Sequence, residues 1–210
     1  MEKIEIIEKP DNITWEEVTN VIHDGYTKRL KENLFYAAVN QTKETTEQRA
    51  LNGKCWLALK NNEIVGTITC NFYTQPIYLT SKGKKKWYID DYYAHIQQFA
   101  VKEKYQGLGI GKKLRKTVED YCKQKGIDSI IDDTSVEAKD LWKWYTKLKH
   151  EKVDYISWNN TNYYTVVRRQ KINGKNINKL YRLTRYYISK ISCIILYKKT
   201  GGKRFNGKKA

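Results

Sequence analysis

The chain has 210 residues, enough for one domain with a substantial core and a modest extension but not for a second catalytic domain. Its formal net charge is +17, yet Arg168 to Ala210 holds fourteen Lys or Arg and no Asp or Glu, leaving +3 for residues 1–167. A nearly neutral body argues against a chain devoted to nucleic acid, so nucleic acid is not an expected partner.

Met1 to Pro10 mixes Glu and Lys with isolated Ile residues and lacks the continuous apolar stretch of a secretory signal, so a cytoplasmic location is expected. Cys55, Cys70, Cys122 and Cys193 stand singly with no C-x-x-C, so neither a zinc site nor a disulfide framework is expected, and the thiols read as small hydrophobes.

Lys3 to Ile7 alternates as a strand does. Thr14-Trp15-Glu16-Glu17 has the pattern of a capping box, and Trp15, Val18, Ile22, Tyr26 and Leu30 give the helix it starts a buried face. Thr42 to Leu51 reads as a second, more polar helix. Cys55 to Leu59 and Ile64 to Asn71, separated by Asn61-Asn62, form a hairpin. Gln75 to Lys86 reads as a loop, Tyr92 to Val101 as a long central strand, Ile127 to Ile131 as a later parallel strand and Tyr163 to Val167 as the last. The alternation predicts an α/β fold, its sheet covered by helices on both sides.

Between the central strand and an amphipathic run from Lys112 to Gln124 lies Gln106-Gly107-Leu108-Gly109-Ile110-Gly111. Glycines permit backbone angles closed to other residues and leave successive N–H groups uncovered. Added to the positive end of the following helix dipole, those donors make an anion site. Ile110, Leu114, Val118 and Tyr121/Cys122 give that helix an apolar face, and Gly126 closes it. Two rival phosphate motifs fail. A P-loop needs a Gly where Gln106 stands and a Ser or Thr where Lys113 stands, and a dinucleotide fingerprint needs a third Gly where Lys112 stands.

Read with its flanks, from Phe99 through Gly111, this turn resembles that of the GNAT acetyltransferase superfamily, and the resemblance extends over about residues 1–167. It implies a GNAT-like mixed central sheet flanked by helices on both faces, in a domain spanning 1–170, with a basic, partly amphipathic extension over 171–210. It also implies acetyl-coenzyme A as co-substrate, with the pyrophosphate held by Gln106, Gly107, Leu108, Gly109, Ile110, Gly111 and Lys112. The pantetheine arm would lie along the backbone of Phe99, Ala100 and Val101, and the region of the second helix would overhang the acceptor pocket. No metal is required.

A second stretch carries the resemblance further. Thr134-Ser135-Val136-Glu137 has the pattern of another capping box, and Ala138, Leu141, Trp142, Tyr145 and Leu148 share one helix face. Trp144-Tyr145-Thr146-Lys147-Leu148 is similar to the family's aromatic-Tyr-x-Lys-Leu segment, though Lys149-His150 replace the usual Gly-Phe and Ala138 replaces the usual Asn. The match implies that Tyr145 protonates the departing thiolate; the alternative is a packing tyrosine with its hydroxyl at the surface.

For a base that deprotonates the acceptor amine, His95 has a suitable intrinsic pKa. Strand alternation predicts His95, Gln97 and Phe99 on one face of the central strand and Gln98 on the other. Asp91, with Asp90 at the entry to that strand, is a second candidate for base or for binding a cationic acceptor, against the simpler reading of a solvated strand end. Asp132 and Asp133 end the next strand near the expected splay between strands, where they are further candidates against the simpler reading of turn and cap residues.

The leading expectation is direct acetyl transfer to the amine of a small molecule. Trp15, Asn33, Arg49, Cys55 and the Leu57 to Gly66 hairpin loosely resemble family members of bacterial surface-polysaccharide synthesis, which suggests an amino sugar. Alternatives are a protein-lysine acetyltransferase, a non-catalytic acetyl-coenzyme A sensor and a tail-driven adaptor. In the tail, Ile177, Leu180, Thr184, Tyr187, Ile188, Ile191, Ile194 and Ile195 trace an apolar stripe among Lys179, Arg182, Arg185 and Lys190. If helical, this stripe packs on its own domain, on a homodimer mate or on an anionic membrane surface. Ile191 to Tyr197 could instead form a strand, and Gly201 to Ala210 reads as a disordered basic end.

Overall fold

The computed structural model describes residues 3–74, 90–148, 150–157 and 161–199. The expected loop at Gln75 to Lys86 and the expected disordered end lie outside the described residues. Seven strands form one mixed sheet: β1 (Ile4–Glu8), β2 (Gly53–Lys60), β3 (Glu63–Tyr73), β4 (Tyr93–Val101), β5 (Ser129–Ser135), β6 (Glu151–Ser157) and β7 (Tyr164–Lys171). Their order is β1-β2-β3-β4-β5-β7-β6, antiparallel throughout except for the β4–β5 pair. Five α-helices accompany them: α1 (Trp15–Lys31), α2 (Lys43–Ala50), α3 (Ile110–Gln124), α4 (Lys139–Lys147) and α5 (Lys179–Lys199).

Local chemistry explains most boundaries. Thr14 and Glu17 cap α1 reciprocally, as the capping-box pattern predicts. Asn61 and Asn62 both take positive φ, 49° and 63°, which a two-residue hairpin turn between right-twisted strands requires and Asn tolerates. Gly126, at φ 67°, follows the end of α3 and turns the chain into β5.

Alternation along the strands splits the core between two faces. Trp56, Ala58, Ile68, Ala94 and Ile96 meet Ile110, Leu114, Val118 and Cys122 of α3. On the opposite face Cys55, Leu57 and Ala100 meet Val18 and Ile22 of α1. Leu114 and Val118 are wholly buried, each contributing about 2 kcal/mol of apolar transfer.

Four expectations are corrected. Strand β6, not anticipated, pairs with β7; its sequence, Glu-Lys-Val-Asp-Tyr-Ile-Ser, mixes charge with apolar residues, and a register shift between Lys152 and Asp154 breaks its period of two. Strand β5 runs on to Ser135, so Thr134-Ser135-Val136-Glu137 is no capping box. Instead Thr134 Oγ1 meets the Tyr36 hydroxyl at 3.1 Å, and Ala138 precedes α4 without a side-chain cap. For the same reason Asp132 and Asp133 lie inside a strand and cap nothing.

The fourth correction concerns the tail. Residues 191–197 are helical, within α5, rather than a strand. Helix α5 packs on β6, with Tyr186 buried against Tyr155, while most of the anticipated apolar stripe faces outward.

Candidate active site

Strands β4 and β5 pair only from Tyr93↔Ser129 to His95↔Ile131 and then separate. Two features drive β4 away. A bulge against β3, where Thr67 pairs with Ala100 and Thr69 with Gln97, inserts an extra residue, and Gln98 takes φ 50°. The Gln98 side chain holds that conformation, accepting from Thr69 Oγ1 at 2.8 Å and donating to the Thr46 carbonyl at 3.2 Å. Beyond the last β5 partner, the β4 backbone from Ile96 to Val101 borders the gap.

The bulge overturns the expected alternation. His95 and Gln97 share a face, with Gln97 Nε2 3.5 Å from His95 Nδ1, and Gln98 joins them on the α2 side. Phe99 crosses to the α3 side, its ring centroid 5.8 Å from that of Trp144. One extra residue shifts every later side chain by half a period.

A cavity of about 360 Å³ fills the gap and is lined from both faces of the sheet. His95, Phe99, Asp132, Asp133 and Tyr145 border it below α1 and α2, which add Tyr26 and Arg49. Of the sequence candidates, His95, Phe99 and Tyr145 meet here. Asp91 does not: it is exposed and precedes β4 at the end opposite the splay, while its neighbour Asp90 is held 2.8 Å from Arg169.

His95 Nε2 lies 3.4 Å from Asp133 Oδ1, so a proton on that nitrogen is donated to the carboxylate, which orients the imidazole. The sequence places this acidic partner near the expected splay, with turn or cap duty as the simpler reading; the β4 bulge is what brings it and His95 to one cavity.

Tyr145 is 5% exposed on α4. Its ring contacts Trp144 edge-on at 4.8 Å, and the Arg168 and Arg115 guanidiniums lie 4.6 and 5.9 Å from its centroid. Burial, with the Asp132 charge adding to it, pushes the phenol well above its ordinary range against the two arginines, so the hydroxyl stays a proton donor. Asp132 itself is 1% exposed, 3.0 Å from Arg115 Nη2 and 3.3 Å from His150 Nδ1. Burial alone would raise its pKa, but Arg115, His150 and Arg168 outweigh it and hold the carboxyl below the usual range.

Sequence reasoning missed the aromatic wall. Tyr36 sits between Tyr26 and Tyr163, with ring centroids 5.4 and 4.6 Å away. Its hydroxyl accepts from the Ser135 backbone N–H at 3.1 Å, tying the α1–α2 connection to the end of β5. Burial raises all three phenols, so the wall is neutral. With seventeen tyrosines in the chain, only the fold singles these out.

The glycine turn lies at the far end of β4. Gly107 and Gly109 have φ of 82° and 80°, and a Cβ on either would meet no atom within 4 Å, so the turn's outer side is open. At Gly111 a Cβ would approach Phe99 Cζ at 3.3 Å, which brings the first turn of α3 close against β4. Gln106 Nε2 bonds the carbonyls of Val101 and Gly25 at 2.9 and 3.2 Å, bracing the turn. Lys113 N–H is the first to reach a helical carbonyl, that of Gly109 at 3.1 Å; the N–H groups before it begin the helix without intrahelical partners. No acidic residue lies in this turn, and Lys112 and Lys113 do. Left-handed glycines, free donors and local positive charge fit a pyrophosphate.

A family model described as the acetyltransferase (GNAT) family matches residues 15–149, and with it the turn, the splay and Tyr145. The chain belongs to the GNAT acetyltransferase family. It is accordingly an acetyl-coenzyme A-dependent N-acetyltransferase. No match was found among curated protein sequences.

Solved structures share the GNAT fold. The Escherichia coli ribosomal-protein-S18-alanine N-acetyltransferase aligns with a TM-score of 0.61 at 11% identity, over 84% of this chain and 98% of its own. A GNAT acetyltransferase from Elizabethkingia anophelis with acetyl-CoA bound aligns at 0.56 and 19% identity, over 80% and 97%. A third, from Staphylococcus aureus, aligns at 0.55 and 24% identity, over 80% and 100%. Among the described residues, no group of His, Cys, Asp and Glu is arranged to hold a metal ion.

Proposed function

We propose that this GNAT enzyme acetylates the primary amine of a small molecule inside the splay cavity, with His95 and Asp133 as the base pair and Tyr145 as the acid. Acetyl-coenzyme A supplies the activated acetyl thioester. The observation that carries the reading is that one cavity of about 360 Å³ joins the His95–Asp133 pair, the Tyr145 ring and the open edge of β4.

Each group has a distinct task. Gln106 to Lys112 bind the pyrophosphate, and the backbone of Phe99, Ala100 and Val101 aligns the pantetheine arm. His95 takes a proton from the acceptor ammonium, directly or through water, and Asp133 stabilises the imidazolium so formed. A β4 backbone N–H facing the gap stabilises negative charge on the acetyl oxygen. Tyr145 returns a proton to sulfur. Holding both reactants in one cavity supplies much of the rate.

Walls of Tyr26, Tyr36 and Tyr163 favour a compact acceptor over an extended peptide. Arg49, partly buried at the same cavity, suits an anionic group on that acceptor, and an amino sugar acid or an amino acid has the required chemistry.

Calorimetry of acetyl-coenzyme A binding to the intact chain and to Gly109→Glu, followed by an acceptor screen that reads free thiol, tests this proposal. Binding that Gly109→Glu abolishes, with thiol release on small amines and none on lysine peptides, supports it. Acetyl transfer to peptides alone overturns the small-molecule reading.

A further inference from the structure

Helix α5 has two apolar faces. One packs on β6 through Tyr186 and Cys193. The other carries Leu180, Tyr181, Tyr187, Ile188, Ile191 and Ile195, each between 48% and 75% exposed. At about 100° per residue these six fall within an arc of about 120° on the side away from β6. Thr184 is the polar residue among the described side chains of that arc, and an exposed apolar strip of this extent marks a contact surface.

Beside it lies a second feature. A cavity of about 290 Å³ opens between β6 and the flank of α5, lined by Trp142, Tyr155, Tyr186, Tyr187, Lys152 and Lys190. Lys152 Nζ lies 4.4 Å from the Trp142 ring centroid and Lys190 Nζ 5.9 Å from that of Tyr155. Burial, Arg168 and Lys190 push the Lys152 ammonium below its ordinary range, and no carboxylate is among the described residues that line the cavity. This cationic cavity is therefore short of negative charge. Tyr187 belongs both to it and to the exposed strip, so the two features are contiguous.

Charge selects the occupant. Lys179, Arg185 and Lys190 flank the strip and no acidic residue lies in α5, so α5 of a second copy would offer these cations no counter-charge. Nucleic acid would satisfy the cations but leave the aliphatic strip in water. An anionic bilayer satisfies both, presenting phosphates above an apolar interior. No helix among the described residues is long and apolar enough to cross a membrane, so α5 would lie along the surface.

We propose that α5 seats this acetyltransferase on an anionic phospholipid bilayer, its outer strip entering the interface and the Lys152–Lys190 cavity receiving a headgroup phosphate. The cavity is separate from the splay cavity, so the proposal stands whatever the acceptor amine is.

The test is co-sedimentation of the full chain with vesicles of phosphatidylcholine alone or mixed with phosphatidylglycerol. We expect binding to the anionic vesicles only, weakened by salt. Binding should fall at least tenfold in Ile188→Asp/Ile191→Asp and in Lys152→Ala/Lys190→Ala, with circular dichroism, melting temperature and acetyl-coenzyme A binding retained. Equal binding to neutral vesicles, or full binding by either variant, overturns the proposal. So does a dimer in sedimentation velocity that Ile188→Asp/Ile191→Asp converts to monomer, since the strip would then be a self-interface.

Discussion

His95 and Asp133 stand on neighbouring parallel strands and meet side chain to side chain, Nε2 to Oδ1 at 3.4 Å, although His95 pairs with Ile131, the last pair before β4 and β5 separate, and Asp133 follows beyond it. The separation of the strands opens the cavity and leaves this pair at its edge. In the proposed reaction His95 takes the proton of the acceptor amine while Asp133 holds the imidazole in place. His95→Gln and Asp133→Asn are therefore expected to lower kcat about 10²- to 10³-fold, within the usual range for a positioned base. Acetyl-coenzyme A affinity should be unchanged; steady-state kinetics beside calorimetry check both.

Tyr145→Phe keeps the ring and its contacts with Trp144 and Arg168, so the melting temperature should stay within about 2 °C of the parent. Loss of the proton donor is expected to cost about 10²-fold in kcat. Because burial raises this phenol above its ordinary value of about 10, deprotonation of Tyr145 should produce no alkaline fall in activity below about pH 10. A pH–rate profile of the parent that falls with an apparent pKa near 9, and loses that limb in Tyr145→Phe, contradicts this.

Arg49→Met removes the positive charge proposed to hold the acceptor while leaving the reacting groups in place. The expected result is a rise of about tenfold or more in acceptor KM with a small change in kcat, the pattern of lost ground-state binding. An anionic acceptor should feel the change, and its neutral analogue should not.

At the turn, Gly109→Ala forces a side chain to φ 80° with nothing to clash against. The cost is backbone strain alone, about 1–2 kcal/mol of stability by chemical denaturation, with acetyl-coenzyme A bound more weakly.

Asp132 gives the acid stability a specific source. Its carboxyl is held below the usual range when folded, so its contribution is present above the unfolded value of about 3.9 and fades as pH falls toward the folded one. Asp132→Asn removes the nearer and more deeply buried of the two carboxylates that face buried Arg115, leaving Glu119 at 3.5 Å, and should lower stability by about 3 kcal/mol at pH 7. Denaturation of both proteins at pH 7 and pH 3 should show the gap narrowing at the lower pH.

Much of this was legible in the sequence because the determining interactions are short-range. Thr14 and Glu17 cap α1 within four residues, Asn61-Asn62 turn a hairpin between adjacent strands, and Gly107 and Gly109 take left-handed backbone that their own lack of a Cβ allows. The glycine turn and the Trp144 to Leu148 segment were enough to indicate the family. Tertiary structure decided the rest. Only the pairing of β4 with β3 places the bulge that turns Phe99 to one face and leaves Gln98 with His95 on the other. That bulge opens the space where Asp133 finds His95 and where Tyr26, Tyr36 and Tyr163 converge. The outward direction of the α5 strip likewise depended on which of its two apolar faces fitted β6, a strand whose charged, shifted sequence carries no period of its own. Local signals fix how a segment folds; which side chains meet across the sheet is set by register, and register belongs to the assembled core.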